Sequence, residues 1–328
     1  MLIQGKRLGL LLCAALLTAA TVAGCGSSDS SSAGTSAQTA PGQIGHVFVL
    51  ILENEDYTNS FGSSTAAPYL SQTLPAKGAL LKNYYGIGHN SNDNYIAMIS
   101  GQGPNLDTQL DCQTFSNFTG TTIGTDGQAT GLGCVYPTSV ATVSDQLGKA
   151  SLSWKAYMED MGNDPTRESA TCGHPAVGAK DGTQVATKTD QYATRHDPFV
   201  YFHSIIDDQA ACGSHVVGLG GLQSDLSSVS TTANYTFITP NLCHDGHDSP
   251  CADGEPGGLT SVNTFLQQWV PQILASPAFQ QDGLLIVTFD ESNGLQSDSS
   301  ACCGEGPGPN ALLPGLLGFG GGKVGAVL

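Results

Sequence analysis

Two apolar runs in this chain stop on oxygen-bearing side chains. HVFVLILENEDY, residues 46–57, is apolar from Val47 to Leu52 and then presents Glu53 and Asn54. LLIVTFDE, residues 284–291, is likewise apolar until Asp290 and Glu291. Carboxylate and amide oxygens are the ligands of hard divalent cations. An unbroken apolar run fits a strand buried on both faces of a sheet, and such a strand gains nothing by ending in Glu-Asn. A site does gain, because ligands of open α/β sheets bind outside the carboxyl ends of the strands. The two runs therefore predict two halves of one polar, metal-binding site. The plain alternative for Asp290-Glu291 is a capped strand end.

Other segments add groups that could act on an anion. GHNSNDNY, residues 88–95, places Ser91 in a polar loop just ahead of a helix. A hydroxyl there lies in the positive field of a helix N-terminus, and so would an anion it attacks. The alternative is that Ser91, Asn92 or Asp93 only caps that helix. PNLCHDGHD, residues 240–248, crowds Asp245, His247 and Asp248 into one Gly-containing loop, which could equally be a surface turn. Arg195-His196 before Asp197-Pro198 is a weaker element of the same kind.

The elements that must position these residues alternate. Residues 65–88 read as a helix followed by a strand over 80–85, and 94–102 as the start of a helix. The Gly-, Thr- and Asp-rich stretch 103–137 reads as a loop tied by Cys112 and Cys134. Residues 140–160 give a helix and then a strand, and 192–205 a loop entering an aromatic segment. Residues 234–248 give a short strand opening into the polar loop. Val262, Phe265, Leu266, Trp269 and Ile273 recur at helical spacing within 259–280. Strands alternating with helices predict an α/β sandwich with a mostly parallel central sheet. No internal repeat is visible.

Bulk properties narrow the class. The 328 residues are long for one domain but within reach of a large α/β domain. A formal net charge of -17 argues against nucleic acid and anionic membrane surfaces as partners. An anionic substrate would need local compensation, from a metal ion or from the few cationic side chains. Residues 1–24 read as a signal segment, with Lys6 and Arg7 ahead of the apolar Leu8–Val22. Val22-Ala23-Gly24-Cys25 resembles a bacterial lipobox, which implies cleavage before Cys25 and acylation of its sulfur; an ordinary secretory signal is the alternative. Residues 25–43 read as a flexible Ser/Gly/Ala tether, so the chain is expected outside the cytoplasmic membrane, anchored by lipid. The folded part is expected over 44–328.

Cysteine usage agrees with export. Setting aside Cys13 and Cys25 leaves an even number, which in an exported chain predicts disulfides. Neighbours in sequence are the first choice: Cys112 with Cys134, Cys172 with Cys212, and Cys243 with Cys251. Adjacent Cys302 and Cys303 would need a vicinal bond or separate partners. No pair has the C-x-x-C spacing of a zinc site.

In order and spacing, LENEDY, HNSNDNYIAMISG, RHDPFVYF, ITPNLCHDGHD and VTFDE resemble the phosphoesterase family of secreted acid phosphatases and bacterial phospholipases C. That family belongs to the alkaline-phosphatase-like superfamily, and the resemblance covers about residues 45–328. It implies a three-layer, alkaline-phosphatase-like sandwich. It also implies one divalent metal ion lined by Glu53, Asn54, Ser91, Asp290 and Glu291. Ser91 matches the nucleophile, His196 and His247 match histidines facing the phosphate, and Asn94, Asp245 and Asp248 match substrate-side positions. The expected activity is phosphate monoester hydrolysis through a phosphoseryl intermediate. A phospholipase C or other phosphodiesterase would use the same site. A lipoprotein that captures a phosphorylated ligand or a metal without turnover is the reading from another class. Two departures stand out. Asn90 and Asp93 replace two prolines of the family's His-Pro-Ser-x-Pro-Asn-Tyr. The closing VGAVL reads as a buried strand where relatives continue, so the chain is expected to be truncated there.

Overall fold

Alternation within the first apolar run decides the layering. Strand β1 (His46–Leu52) sends Phe48, Leu50 and Leu52 into one hydrophobic cluster and Ile51 into another on the opposite face. A strand buried on both sides needs cover on both faces. In the computed structural model the first cluster takes Val262, Phe265, Leu266 and Ile273 from the helix Gly258–Ala275. The second takes Tyr95, Ile96 and Ile99 from the helix Ser91–Ser100. The structure describes residues 43–293, 298–303, 308–310 and 320–328. The predicted signal segment, Cys25 and all but the last residue of the predicted tether lie outside the described residues.

The remaining strands are β2 (Leu80–Leu81), β3 (Thr119–Ile123), β4 (Ala129–Leu132), β5 (Trp154–Met158), β6 (Val216–Gly218), β7 (Tyr235–Thr239), β8 (Gly283–Phe289) and β9 (Ala326–Val327). Seven of them form the central sheet in the order β2-β9-β8-β1-β7-β5-β6, and β3 pairs with β4 in a separate hairpin. From β8 through β6 every neighbouring pair is parallel, while β9 is antiparallel to both β8 and β2. The fold is the α/β sandwich that the alternating pattern predicts.

Local chemistry explains where the elements differ from expectation. The helix expected within 65–88 shrinks to a single turn, Tyr69–Thr73, bracketed by Pro68 and Pro75, because proline supplies no N–H and cannot continue a helix. The strand expected over 80–85 is reduced to β2, with Tyr85 making only an isolated bridge to Lys323. The stretch 103–137 is more than a loop, since β3 and β4 lie inside it. They turn at Asp126-Gly127, where Gly127 has φ 82°, and Asp-Gly is a strong hairpin turn. The helix expected over 259–280 breaks at Ser276, whose hydroxyl caps a second helix, Pro277–Asp282. β9 is paired on both sides, and Val324, Ala326 and Val327 are buried, as a core strand requires.

The three predicted disulfides, Cys112–Cys134, Cys172–Cys212 and Cys243–Cys251, are all formed, and Cys302 pairs with Cys303. No helix among the described residues is long and apolar enough to cross a membrane.

Candidate active site

Strand register puts two carboxylates side by side. β1 and β8 are parallel with Leu52 opposite Phe289, so Glu53 and Asp290 leave the sheet together at its carboxyl edge. Asp290 N–H donates to Leu52 O at 2.9 Å, and Asn54 N–H to Asp290 Oδ1 at 3.2 Å. β7, on the other side of β1, leads into the loop of Asp245, whose backbone oxygen accepts from Glu53 N–H at 2.8 Å. Gly246 has φ 110°, and a Cβ there would lie 2.9 Å from Glu53 O. Only glycine allows this approach.

The Ser91 loop is fixed from several directions. Asn90 has φ 71° and ψ 148°, a sparsely populated conformation that costs about 1–3 kcal/mol and persists only where its surroundings over-determine it. Here its N–H donates to Glu291 Oε1 at 3.0 Å, its carbonyl accepts from Asn94 Nδ2 at 3.0 Å, and its side chain donates to Gln109 O. Ser91 is thereby the first residue of its helix, and its hydroxyl donates to Glu53 Oε2 at 2.8 Å. None of Ser91, Asn92 and Asp93 caps the helix. The Asn92 N–H is instead accepted by Asp111 Oδ1 at 3.0 Å, next to the Cys112–Cys134 bridge.

The histidines sit in chains of hydrogen bonds that define their tautomers. His196 Nδ1 lies 3.1 Å from Asp245 Oδ2; as a carboxylate Asp245 can only accept, so Nδ1 carries the proton. His196 Nε2 then presents a lone pair 3.4 Å from Glu53 Oε1. Burial, with Arg195 adding positive charge, pushes His196 well below its ordinary range and keeps the ring neutral. His247 Nδ1 lies 2.8 Å from Asp248 Oδ1, and His247 Nε2 lies 3.1 Å from Arg195 Nη2. The guanidinium has no acceptor, so it donates to Nε2, while Nδ1–H donates to Asp248.

Electrostatics mark the floor as a place suited to a cation. Glu53, Asp245 and Asp290 are all buried. Burial pushes Glu53 well above the usual carboxylate range, and the charges of Asp290 and Asp245 push it further. Asp290 is raised by burial and then by Glu291. Glu53 Oε1, Asp290 Oδ2 and His196 Nε2 are buried with no hydrogen-bond partner among the described residues. Atoms of Glu53, His196 and Asp245 lie within 4.8 Å of one another. Unpartnered carboxylate oxygens and a neutral imidazole held by a second carboxylate fit a divalent cation. Above them opens a cavity of roughly 700 Å³, lined by Asn54, Ser91, Asp111, His247 and Glu291 among others.

The structure thus gathers Glu53, Asn54, Ser91, His196, Asp245, His247, Asp248, Asp290 and Glu291 at one sheet edge. Two of the predicted site residues, Glu291 and Asn94, are engaged otherwise than expected. Glu291 gives Oε1 to the Asn90 N–H and Oε2 to His89 Nδ1, so it braces the serine loop and leaves no oxygen unpaired. Asn94, expected on the substrate side, is not among the residues lining the cavity. Its Oδ1 accepts from Ile87 and Gly88 N–H, and its Nδ2 donates to the Gly88 and Asn90 carbonyls. It fastens the loop from beneath. Three contributors went unassigned in the sequence: His89, Asp111 and Arg195. Arg195 carried the one usable signal, a rare cation directly beside His196 in a chain with only 11 lysines and arginines.

The sequence profile of the phosphoesterase family matches residues 63–301. A phosphate-repressible acid phosphatase of Penicillium chrysogenum is 26% identical over 220 residues, covering 67% of this chain and 42% of that protein. A phosphatidylinositol-3-phosphatase of Mycobacterium tuberculosis is 24% identical over 255 residues, covering 76% of this chain and 64% of that one. The chain therefore spans less than half the length of the fungal relative. Among solved structures, a protein in the alkaline phosphatase superfamily from Vibrio parahaemolyticus aligns over 87% of this chain and 60% of its own. At 12% identity and a TM-score of 0.45, that likeness is too slight to carry weight.

Proposed function

The chain belongs to the phosphoesterase family, and on that footing we propose that it hydrolyses phosphate monoesters with Ser91 as nucleophile. The observation that carries this reading is the Ser91 hydroxyl, which lines the cavity and donates to the buried Glu53 carboxylate at 2.8 Å. As Oγ attacks phosphorus in line, its proton passes along this bond to Oε2, and the ester P–O bond breaks as the departing alkoxide takes a proton from water. Water then cleaves the phosphoseryl ester. Arg195 stands behind this chemistry, donating from Nη2 to His247, which lines the cavity and is backed by Asp248. His196, neutral and held by Asp245, orients the floor rather than donating a proton to the leaving group. A divalent cation on Glu53, Asp290 and Asn54, with His196 in reach, would offset the charge of both the ester and the carboxylates.

We place the protein outside the cytoplasmic membrane, tethered at Cys25. Its disulfides support an oxidising compartment.

The test is turnover of p-nitrophenyl phosphate against p-nitrophenylphosphocholine, each with and without chelator. We expect monoester hydrolysis that chelation abolishes and a divalent cation restores, with a phosphate adduct on the Ser91 peptide after acid quench. Preference for the diester would replace this reading with a phosphodiesterase. Turnover of neither would favour a binding lipoprotein.

A further inference from the structure

A second cavity, of roughly 480 Å³, lies beside the one that holds Ser91. The two share Glu55, Leu259 and Asn293 and meet at that common wall. The rest of the second cavity is walled by the hydroxyls and amide of Thr58, Asn59, Ser63, Ser64 and Thr65, together with Gly62 and Ala66. Its volume is within the range of about 300–1,000 Å³ typical of small-molecule sites. An ester phosphate seated at Ser91 has to send its leaving group somewhere, and this space adjoins the first cavity.

What the walls lack is as informative as what they hold. Among the described residues, no lysine or arginine lines either cavity, while Glu55, Asp111 and Glu291 do. A leaving group bearing a second phosphate would meet the Glu55 carboxylate in the second cavity with no lysine or arginine lining it among the described residues, which discriminates against it. Among the described residues, no Phe, Tyr or Trp lines either cavity. A nucleobase would therefore find no ring to stack on, and a quaternary ammonium would find no aromatic cage. Hydroxyls and an amide offer both donors and acceptors, which pair with the hydroxyls of a polyol.

We infer that the second cavity receives the leaving group and that the preferred substrates are monophosphates of neutral sugars or polyols. This rests on the monoesterase reading above and narrows it. The chemistry is unchanged: the ester P–O bond breaks, and water supplies the oxygen to phosphate and the proton to the released polyol.

The experiment compares kcat/KM for glucose 6-phosphate, fructose 1,6-bisphosphate, AMP and phosphocholine with that for p-nitrophenyl phosphate, in wild type, Thr58→Val, Ser64→Ala and Ser64→Lys. We expect wild type to favour glucose 6-phosphate over each of the other three natural esters by about tenfold or more, since phosphocholine has no hydroxyls to bond, AMP brings a base with no ring to stack on, and the bisphosphate brings a second anion beside Glu55. Thr58→Val and Ser64→Ala should lower the ratio of glucose 6-phosphate to p-nitrophenyl phosphate turnover. That ratio is insensitive to any loss of folded enzyme. Ser64→Lys should raise fructose 1,6-bisphosphate relative to glucose 6-phosphate. Hydrolysis of p-nitrophenyl phosphate with no sugar preference, or with ratios unmoved by the variants, overturns this inference alone. Turnover of none of the esters overturns the monoesterase reading with it.

Discussion

Ser91 Oγ lies 2.8 Å from Glu53 Oε2, although the two residues are 38 positions apart. The contact joins a helix N-terminus to the carboxyl end of a central strand. Asn90 and Gly246 make it possible, one by an uncommon backbone conformation and the other by having no Cβ. Both structural devices serve to bring a hydroxyl and a buried base together.

Replacing Ser91 by alanine should remove turnover by about 10³-fold or more, as loss of a covalent nucleophile does. The fold should survive, because the loop is held by Glu291 and Asn94 and not by the serine. Glu53 Oε2 would lose a donor, so a destabilisation of about 1–3 kcal/mol is expected. Residual p-nitrophenyl phosphate hydrolysis above a few per cent of wild type (about 3% on the scale of such knockouts), in a protein with native circular dichroism, would remove Ser91 from the mechanism.

A divalent cation should raise the melting temperature. Glu53 and Asp290 both sit above their ordinary range because they are buried beside other carboxylates. A cation that binds only the folded chain stabilises it by about 2.7 kcal/mol at a hundredfold excess over Kd. The variant carrying Glu53→Gln and Asp290→Asn should show no such rise. Titrating metal into both proteins and following thermal unfolding decides the matter: equal shifts would move the cation elsewhere.

How much of this was legible in the sequence depends on where each group finds its partner. Glu53, Asn54 and Asp290 announce themselves because an apolar strand that ends in oxygens has a local anomaly. The helix after Ser91 and the three sequence-neighbour disulfides were local too. Asp111 was not legible, because what it caps is an N–H of another segment. The engagement of Glu291 and Asn94 was hidden for the same reason: their residue types suit metal or phosphate, and their hydrogen bonds run to groups of the serine loop. In the fold, Pro68, Pro75 and Pro277 mark element ends, but Pro271 lies within the helix Gly258–Ala275, so proline alone did not fix the breaks. β6 was not, since three residues carry no period.

Stability should carry a pH signature from Glu168, outside the site. Its Oε1 accepts from Gly162 N–H at 2.8 Å, and Oε2 is buried without a partner among the described residues. Burial, with Asp190 adding negative charge, raises its carboxyl from 4.5 to about 7. The folded state thus keeps a proton that the unfolded chain releases first. The stability this contributes is fully present below 4.5 and is lost as pH rises through about 7. Glu168→Gln should flatten the urea-denaturation midpoint across that window and leave the variant more stable than wild type at about pH 8. A profile parallel to wild type would show that another group sets the slope.

Two of the disulfides should separate stability from activity. Cys243–Cys251 closes a short loop, with a sequence separation of 8, and that loop contains Asp245, His247 and Asp248. Cys172–Cys212 has a separation of 40, and neither of its cysteines lines the catalytic cavity. Chain entropy gives about 2.5 kcal/mol for a loop of the first size and about 4 kcal/mol for the second. Serine at both positions of the longer bridge should therefore cost more in unfolding free energy. Serine at both positions of the shorter bridge should cost more in kcat/KM, because Asp245 accepts from the His247 N–H and fixes His196 from within that loop. Comparing urea midpoints with p-nitrophenyl phosphate kinetics, at a temperature where both variants are folded, reads the two effects separately. If the variant with the greater loss of stability also shows the greater loss of activity, the short bridge is a general brace of the fold and does not hold the histidines in register.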